Sequence, residues 1–104
     1  MTTDDRIIEI LANSMISAGY WLDDIDYDPV TSGKKYESIE YKLLDILKQG
    51  KRLDFILKYD AADGDKRVFN VSYEHFCEAA NKIREDCLDE RALQFVLFGD
   101  VRFN

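Results

Sequence analysis

Residues 52–71 read RLDFILKYDAADGDKRVFNV, and the reading of this stretch decides the fold. Leu53, Phe55, Leu57 and Tyr59 alternate with Asp54, Ile56 and Lys58, a period of two that lines one face of a strand. Asp63-Gly64, inside AADGD (61–65), tolerates positive φ and turns the chain. RVFNV (67–71) then returns. The stretch predicts a β-hairpin with strands 52–59 and 67–71. A lone hairpin is barely stable in water, so its neighbours must supply the rest of the core.

They read as helices. After the hairpin, Ser72 is an N-cap residue, and Phe76, Ala79, Ala80 and Ile83 follow at the i, i+3, i+4, i+7 spacing of an amphipathic helix running from 73 to about 86. Asp89 caps a last helix, 90–98, which Gly99 stops. The tail Val101-Arg102-Phe103 is expected to add an edge strand. Before the hairpin, Tyr36, Ile39, Leu43, Ile46 and Leu47 form a helical stripe over 36–49. Ile39, Tyr41 and Leu43 also alternate as in a strand, but the length favours the helix. At the start, Thr2 and Asp5 have the spacing of a capping box. Ile7, Ile8, Leu11 and Met15 continue it as a helix over 3–18, ended by Gly19. Residues 20–35, with Pro29, Thr31, Ser32 and Gly33, read as a loop that can hold a short strand at 22–28. The expected fold is α+β: a small antiparallel sheet packed with about four helices, in one domain spanning 1–104.

The charge of −7 is unevenly placed. Residues 1–32 carry seven acids against Arg6 alone, whereas residues 33–59 carry seven bases and four acids. An acidic first third argues against general nucleic-acid binding, which depends on Lys and Arg neutralising phosphates. No apolar run approaches the ~20 residues that span a bilayer. With no leader-like start and only Cys77 and Cys87, a cytoplasmic protein with reduced thiols is expected.

The densest acidic stretch is WLDDIDYDPV (21–30). Asp24, Asp26 and Asp28 imitate the opening of a calcium loop, but its sixth position is Pro29 and its twelfth Lys35, where glycine and a bidentate glutamate are needed. No metal or cofactor is expected. If 22–28 is extended, the three carboxylates share one side while Ile25 and Tyr27 take the other. Acids for steering beside aromatic anchors suit a basic protein surface. The residues expected to bind a partner are Trp21, Asp23, Asp24, Asp26, Tyr27 and Asp28. The role expected is a small acidic interaction module, of inhibitor, immunity or adaptor type, whose acids could also imitate a nucleic-acid backbone. A plain solvated loop is the bland reading.

Two other functions have some support in the residues. Lys48, Lys51 and Arg52 precede the hairpin as the end of a helix precedes the wing of a winged helix-turn-helix, although Asp60, Asp63 and Asp65 at the tip oppose DNA. An enzyme would use His75, the single histidine, yet no nucleophile or zinc spacing accompanies it. The two cysteines read as small buried apolar residues. Finally, ALQFVLF (92–98) is apolar all round except Gln94, so Phe95 and Phe98 either complete the core or form a face for a homodimer or partner.

Overall fold

The computed structural model describes residues 1–28, 35–58 and 67–103. Its elements are α1 (Thr3–Ser17), β1 (Leu22–Asp26), α2 (Ile39–Lys48), β2 (Leu53–Leu57), β3 (Val68–Val71), α3 (Tyr73–Asn81) and α4 (Glu90–Phe98). Short 3-10 turns at Ala18–Tyr20 and Glu85–Cys87 join some of them. The fold is α+β, and the sheet is antiparallel in the order β1-β2-β3. The hairpin pairs Leu53 with Val71 and Phe55 with Phe69. Its AADGD turn and Tyr59 lie outside the described residues, as do Pro29 and Thr31–Gly33. No helix among the described residues is long and apolar enough to cross a membrane.

The sheet has one apolar face. Leu22, Leu53, Phe55, Leu57 and Val71 are buried against the helices, with Ile25 and Phe69 partly so. The opposite face carries Asp24, Asp26, Asp54, Ile56, Val68 and Asn70 by the strand alternation. The helices supply Ile7, Ile10, Leu11, Leu43, Ile46, Leu47, Phe76, Ala80 and Leu93.

α1 starts with the expected capping box: the Asp5 amide donates to Thr2 Oγ1, and the Thr2 amide donates to Asp5. Its buried face is Ile7, Ile10, Leu11 and Ser14. Met15, expected in that stripe, is 40% exposed. Residues 36–38 do not join α2, which buries Leu43, Leu44, Ile46 and Leu47 and ends before Gly50 at φ 84°. The strand alternative for this region is thereby overturned.

α3 is capped by Ser72 but stops at Asn81, short of residue 86. The cause lies far away in sequence. Arg6 of α1 donates to the carbonyls of Ala80 (3.3 Å) and Ile83 (2.6 Å), and Asn13 to that of Leu88 (2.6 Å). A cation from α1 therefore ends α3, which has no base of its own in its last turn. α4 has the expected bounds, with Asp89 accepting from the Arg91 amide and Gly99 at φ 80°. The tail is not a strand, contrary to expectation. Gln94, fully buried, holds it instead: Gln94 Nε2 donates to the Phe103 carbonyl (2.9 Å), and Oε1 accepts from the amides of Arg102 (2.9 Å) and Phe103 (2.7 Å). The side-chain amide thus does what a neighbouring backbone would have done.

One acid of the first third meets a base of the middle third. Asp4 accepts from Tyr73 Oη (2.6 Å) and from Lys48 Nζ (2.9 Å), tying α1 to the start of α3 and the end of α2. The Tyr73 bond, then the Lys48 bond, hold its carboxyl below the ordinary value of 3.8. A carboxyl lowered on folding contributes stability that is present above the ordinary value and is lost as pH falls through the lowered one. Asp4→Asn is therefore expected to lower the urea midpoint at neutral pH and to shrink its fall between about pH 5 and pH 2. An unchanged acid limb in the variant would show that Asp4 does not carry this dependence.

Candidate functional site

Among the described residues, the acidic stretch forms an edge strand. β1 leaves the 3-10 turn at Ala18–Tyr20, which folds Trp21 under the sheet before the chain extends. Trp21 is 0% exposed. Its indole stacks on Phe103 (5.8 Å between centroids, 5° between planes) and meets the edge of Phe98 (6.0 Å). Its Nε1 donates to Glu90 Oε2 at 2.8 Å. Trp21 is therefore a core residue, and its expected role as a surface anchor is corrected. The sequence shows Trp21 beside four acids, but not Glu90 or Phe103, which satisfy it from the other end of the chain.

Asp23, Asp24, Asp26 and Asp28 are all exposed, while Ile25 and Tyr27 are half-buried on the other side. The alternation expected of this stretch thus holds from Asp24 to Asp28. Asp23 falls at an irregularity in the pairing with β2, between Leu22 and Asp24. Tyr27 lies under the Lys42 ammonium, 4.9 Å from its ring centroid, a cation–π geometry.

The ladder fixes which amides of β1 face outward. Leu57 of β2 donates to the Arg67 carbonyl beyond the start of β3, so Leu57, Phe55 and Leu53 bond on the β3 side and Asp54 and Ile56 on the β1 side. Asp24 pairs with Ile56 and Asp26 with Asp54, which turns the amides of Ile25 and Tyr27 to the far edge. There they donate to their own neighbours: Ile25 N to Asp24 Oδ1 (2.8 Å) and Tyr27 N to Asp26 Oδ1 (3.1 Å). The aspartates thus cover the donors of an edge on which no described strand pairs.

A second feature is electrostatic. Asp26 stands opposite Asp54, and like charges directly opposed weaken a sheet. Asn70, opposite Asp54 on β3, donates to it. Arg52 and Lys58 border the open face at the two ends of β2, so the acidic character belongs to the β1 side.

Beside this edge runs a hollow of about 370 Å³, lined by the apolar Met15 at the end of α1, Leu22, Ile25 and Tyr27 of the β1 segment, and Ile39 and Leu43 of α2, together with Ser14, Gly19, Asp23 and Asp24. Met15 and Ile39 are each 40% exposed.

The competing candidates are not assembled to the same degree. His75 Nε2 lies 2.7 Å from the Val96 carbonyl, beside a shallow depression of about 400 Å³ that includes Glu78, Lys82 and Phe95. Cys77 is half-buried and Cys87 exposed, so neither is the buried residue expected, although Cys77 packs against the core. Among the described residues, no three His, Cys, Asp or Glu side chains converge as metal ligands. Lys48 of the basic stretch is committed to Asp4. β1 separates α1 from α2, so the pair of helices joined by a tight turn that a helix-turn-helix needs does not precede the hairpin.

Phe98 is packed among Trp21, Phe69 and Phe103. The chain's own tail therefore covers part of the face the sequence left open to a partner. Phe95 is half-buried and lines the depression beside His75.

By class, the chain has an α+β fold in which, among the described residues, a three-stranded sheet ends in the acidic strand β1. No family model, no curated protein and no solved structure matches it.

Proposed function

We propose that the protein is a small acidic interaction module that docks on a basic surface of a partner protein, in an inhibitory, immunity or adaptor role. The observation that carries this reading is the row of exposed carboxylates on β1, with Asp26 set against Asp54 at a cost to the sheet. Asp23, Asp24, Asp26 and Asp28 steer the encounter, and Tyr27 takes the anchoring role alone, since Trp21 is buried. The mechanism is steric: the bound module occludes or bridges the surface it covers. If that surface is a nucleic-acid site, the carboxylates stand where phosphates would.

The test compares wild type with the quadruple variant Asp23→Asn, Asp24→Asn, Asp26→Asn, Asp28→Asn. Capture of a basic partner is expected from wild type, weakening with salt. The variant is expected to associate about tenfold or more slowly at low salt. Equal capture by both proteins would remove the acidic strand from the function. Direct binding of wild type to DNA, abolished by Lys51→Glu, would favour the regulator reading instead.

A further inference from the structure

We infer that the β1 edge takes an extended segment of the partner as an additional strand, and that this segment alternates apolar with basic residues. The inference rests on the proposed acidic docking function and names the form of its partner.

Three observations meet at one place. The amides of Ile25 and Tyr27 face outward, on an edge where no described strand pairs. The hollow beside them is lined by β1, α1 and α2 with no residue of β2, so it opens on the side of β1 away from the sheet. Asp24, Asp26 and Asp28 are exposed along the same edge, and Asp24 also reaches the lining of the hollow. A strand added here lies ~4.8 Å from β1, with alternate side chains on opposite faces. One set enters the hollow against Met15, Ile25, Ile39 and Leu43. The other set passes along the aspartates and is therefore basic.

The carboxylates also explain which strands are admitted. Asp24 Oδ1 and Asp26 Oδ1 already hold the two outward amides. A neutral strand must displace these carboxylates with only water to receive them, which makes pairing less favourable and protects the edge against indiscriminate pairing. A lysine or arginine in the incoming strand takes the carboxylate as an ion pair and frees the amide for the strand's carbonyl. A second copy of this chain is a poor occupant: two β1 edges side by side would set one acidic row against another.

The probe is a capped peptide of about eight residues alternating valine and lysine, compared with an isomer in which the valines and lysines form two blocks. The alternating peptide is expected to bind about tenfold more tightly, the effect of two or three net main-chain bonds. It is also expected to slow hydrogen exchange at the Ile25 and Tyr27 amides. Tyr27→Pro, which removes one outward donor, is expected to abolish the preference, whereas Tyr27→Ala, which keeps the amide but loses the anchoring ring, is expected to weaken both peptides and still leave the alternating one ahead.

Should Tyr27→Pro not fold, exchange in the wild type decides alone. Equal binding of both peptides without protection at Ile25 and Tyr27 overturns the added strand and leaves the electrostatic docking standing. Failure of both peptides to bind at low salt overturns both. Protection of the two amides in the free protein that persists when Asp24→Ala and Asp26→Ala remove the carboxylates overturns the inference too, since another part of the chain or a second copy then holds the edge.

Discussion

Trp21→Ala is expected to lower the unfolding free energy by about 4 kcal/mol, within the range for emptying a large aromatic site. The indole is fully buried, stacked on Phe103 and edge-on to Phe98. Removing it leaves a void where the turn before β1, the end of α4 and the C-terminal tail meet. A domain of this size has a total of only about 5–15 kcal/mol, so the variant is left at the margin of folding. Urea titration followed by far-ultraviolet circular dichroism measures this, since the fluorophore is gone. A surface anchor would behave otherwise: the midpoint would move by less than about 0.5 kcal/mol and only binding would suffer. That result would overturn the buried placement.

The second large effect is expected from Glu90→Ala, at about 2–3 kcal/mol. Glu90 Oε2 accepts from Trp21 Nε1 and from Gln94 Nε2, and Oε1 from Tyr20 Oη. Tyr20 and Gln94 each also donate to the Phe103 carbonyl, so they keep an acceptor. Trp21 Nε1 has only Glu90 among the described residues. The cost therefore arises mainly from one buried donor left without a partner. A double-mutant cycle with Trp21→Phe isolates it: the combined loss should fall short of the sum of the single losses by about 1–2 kcal/mol. Additive losses would mean that the Trp21–Glu90 bond contributes little.

Where the sequence was legible, the determinants were local. α4 was readable to the residue because Asp89 and Gly99 lie at its own ends, and α1 because Thr2 and Asp5 form its cap. β2 and β3 were readable from alternation, and the exposed side of β1 from the same period. The misreadings share a different cause. α3 ends early because Arg6 and Asn13 hold the backbone that follows it, and no pattern within 73–86 announces them. The tail is not a strand because a single side chain, Gln94, takes the bonds a strand would have needed. Trp21 stands beside four acids in sequence, whereas its burial depends on Glu90 and Phe103, about 70 to 80 positions away. A weak signal did exist: Trp21-Leu22 is an apolar pair just before the charges, and Glu90 and Gln94 sit one helical turn apart in a helix that is apolar from Ala92 on except at Gln94. The groove beside β1 was not legible, since it needs Met15 and Ile39 brought together from two helices.

The bonds from α1 to the last third of the chain also set an order of events during synthesis. Arg6 and its acceptor in α3 are 74 residues apart, and Asn13 and Leu88 are 75 apart. At ribosomal speeds of about 5–20 residues per second, the first helix waits on the order of 4–15 seconds for the segments that cover it. Throughout that interval Ile7, Ile10 and Leu11 form an apolar stripe on a nascent chain with no α3 or α4 to meet. The acids of the first third emerge together with that stripe. Like charge over residues 1–32 favours hydration of that segment over association of its apolar stripe until α3 and α4 cover it.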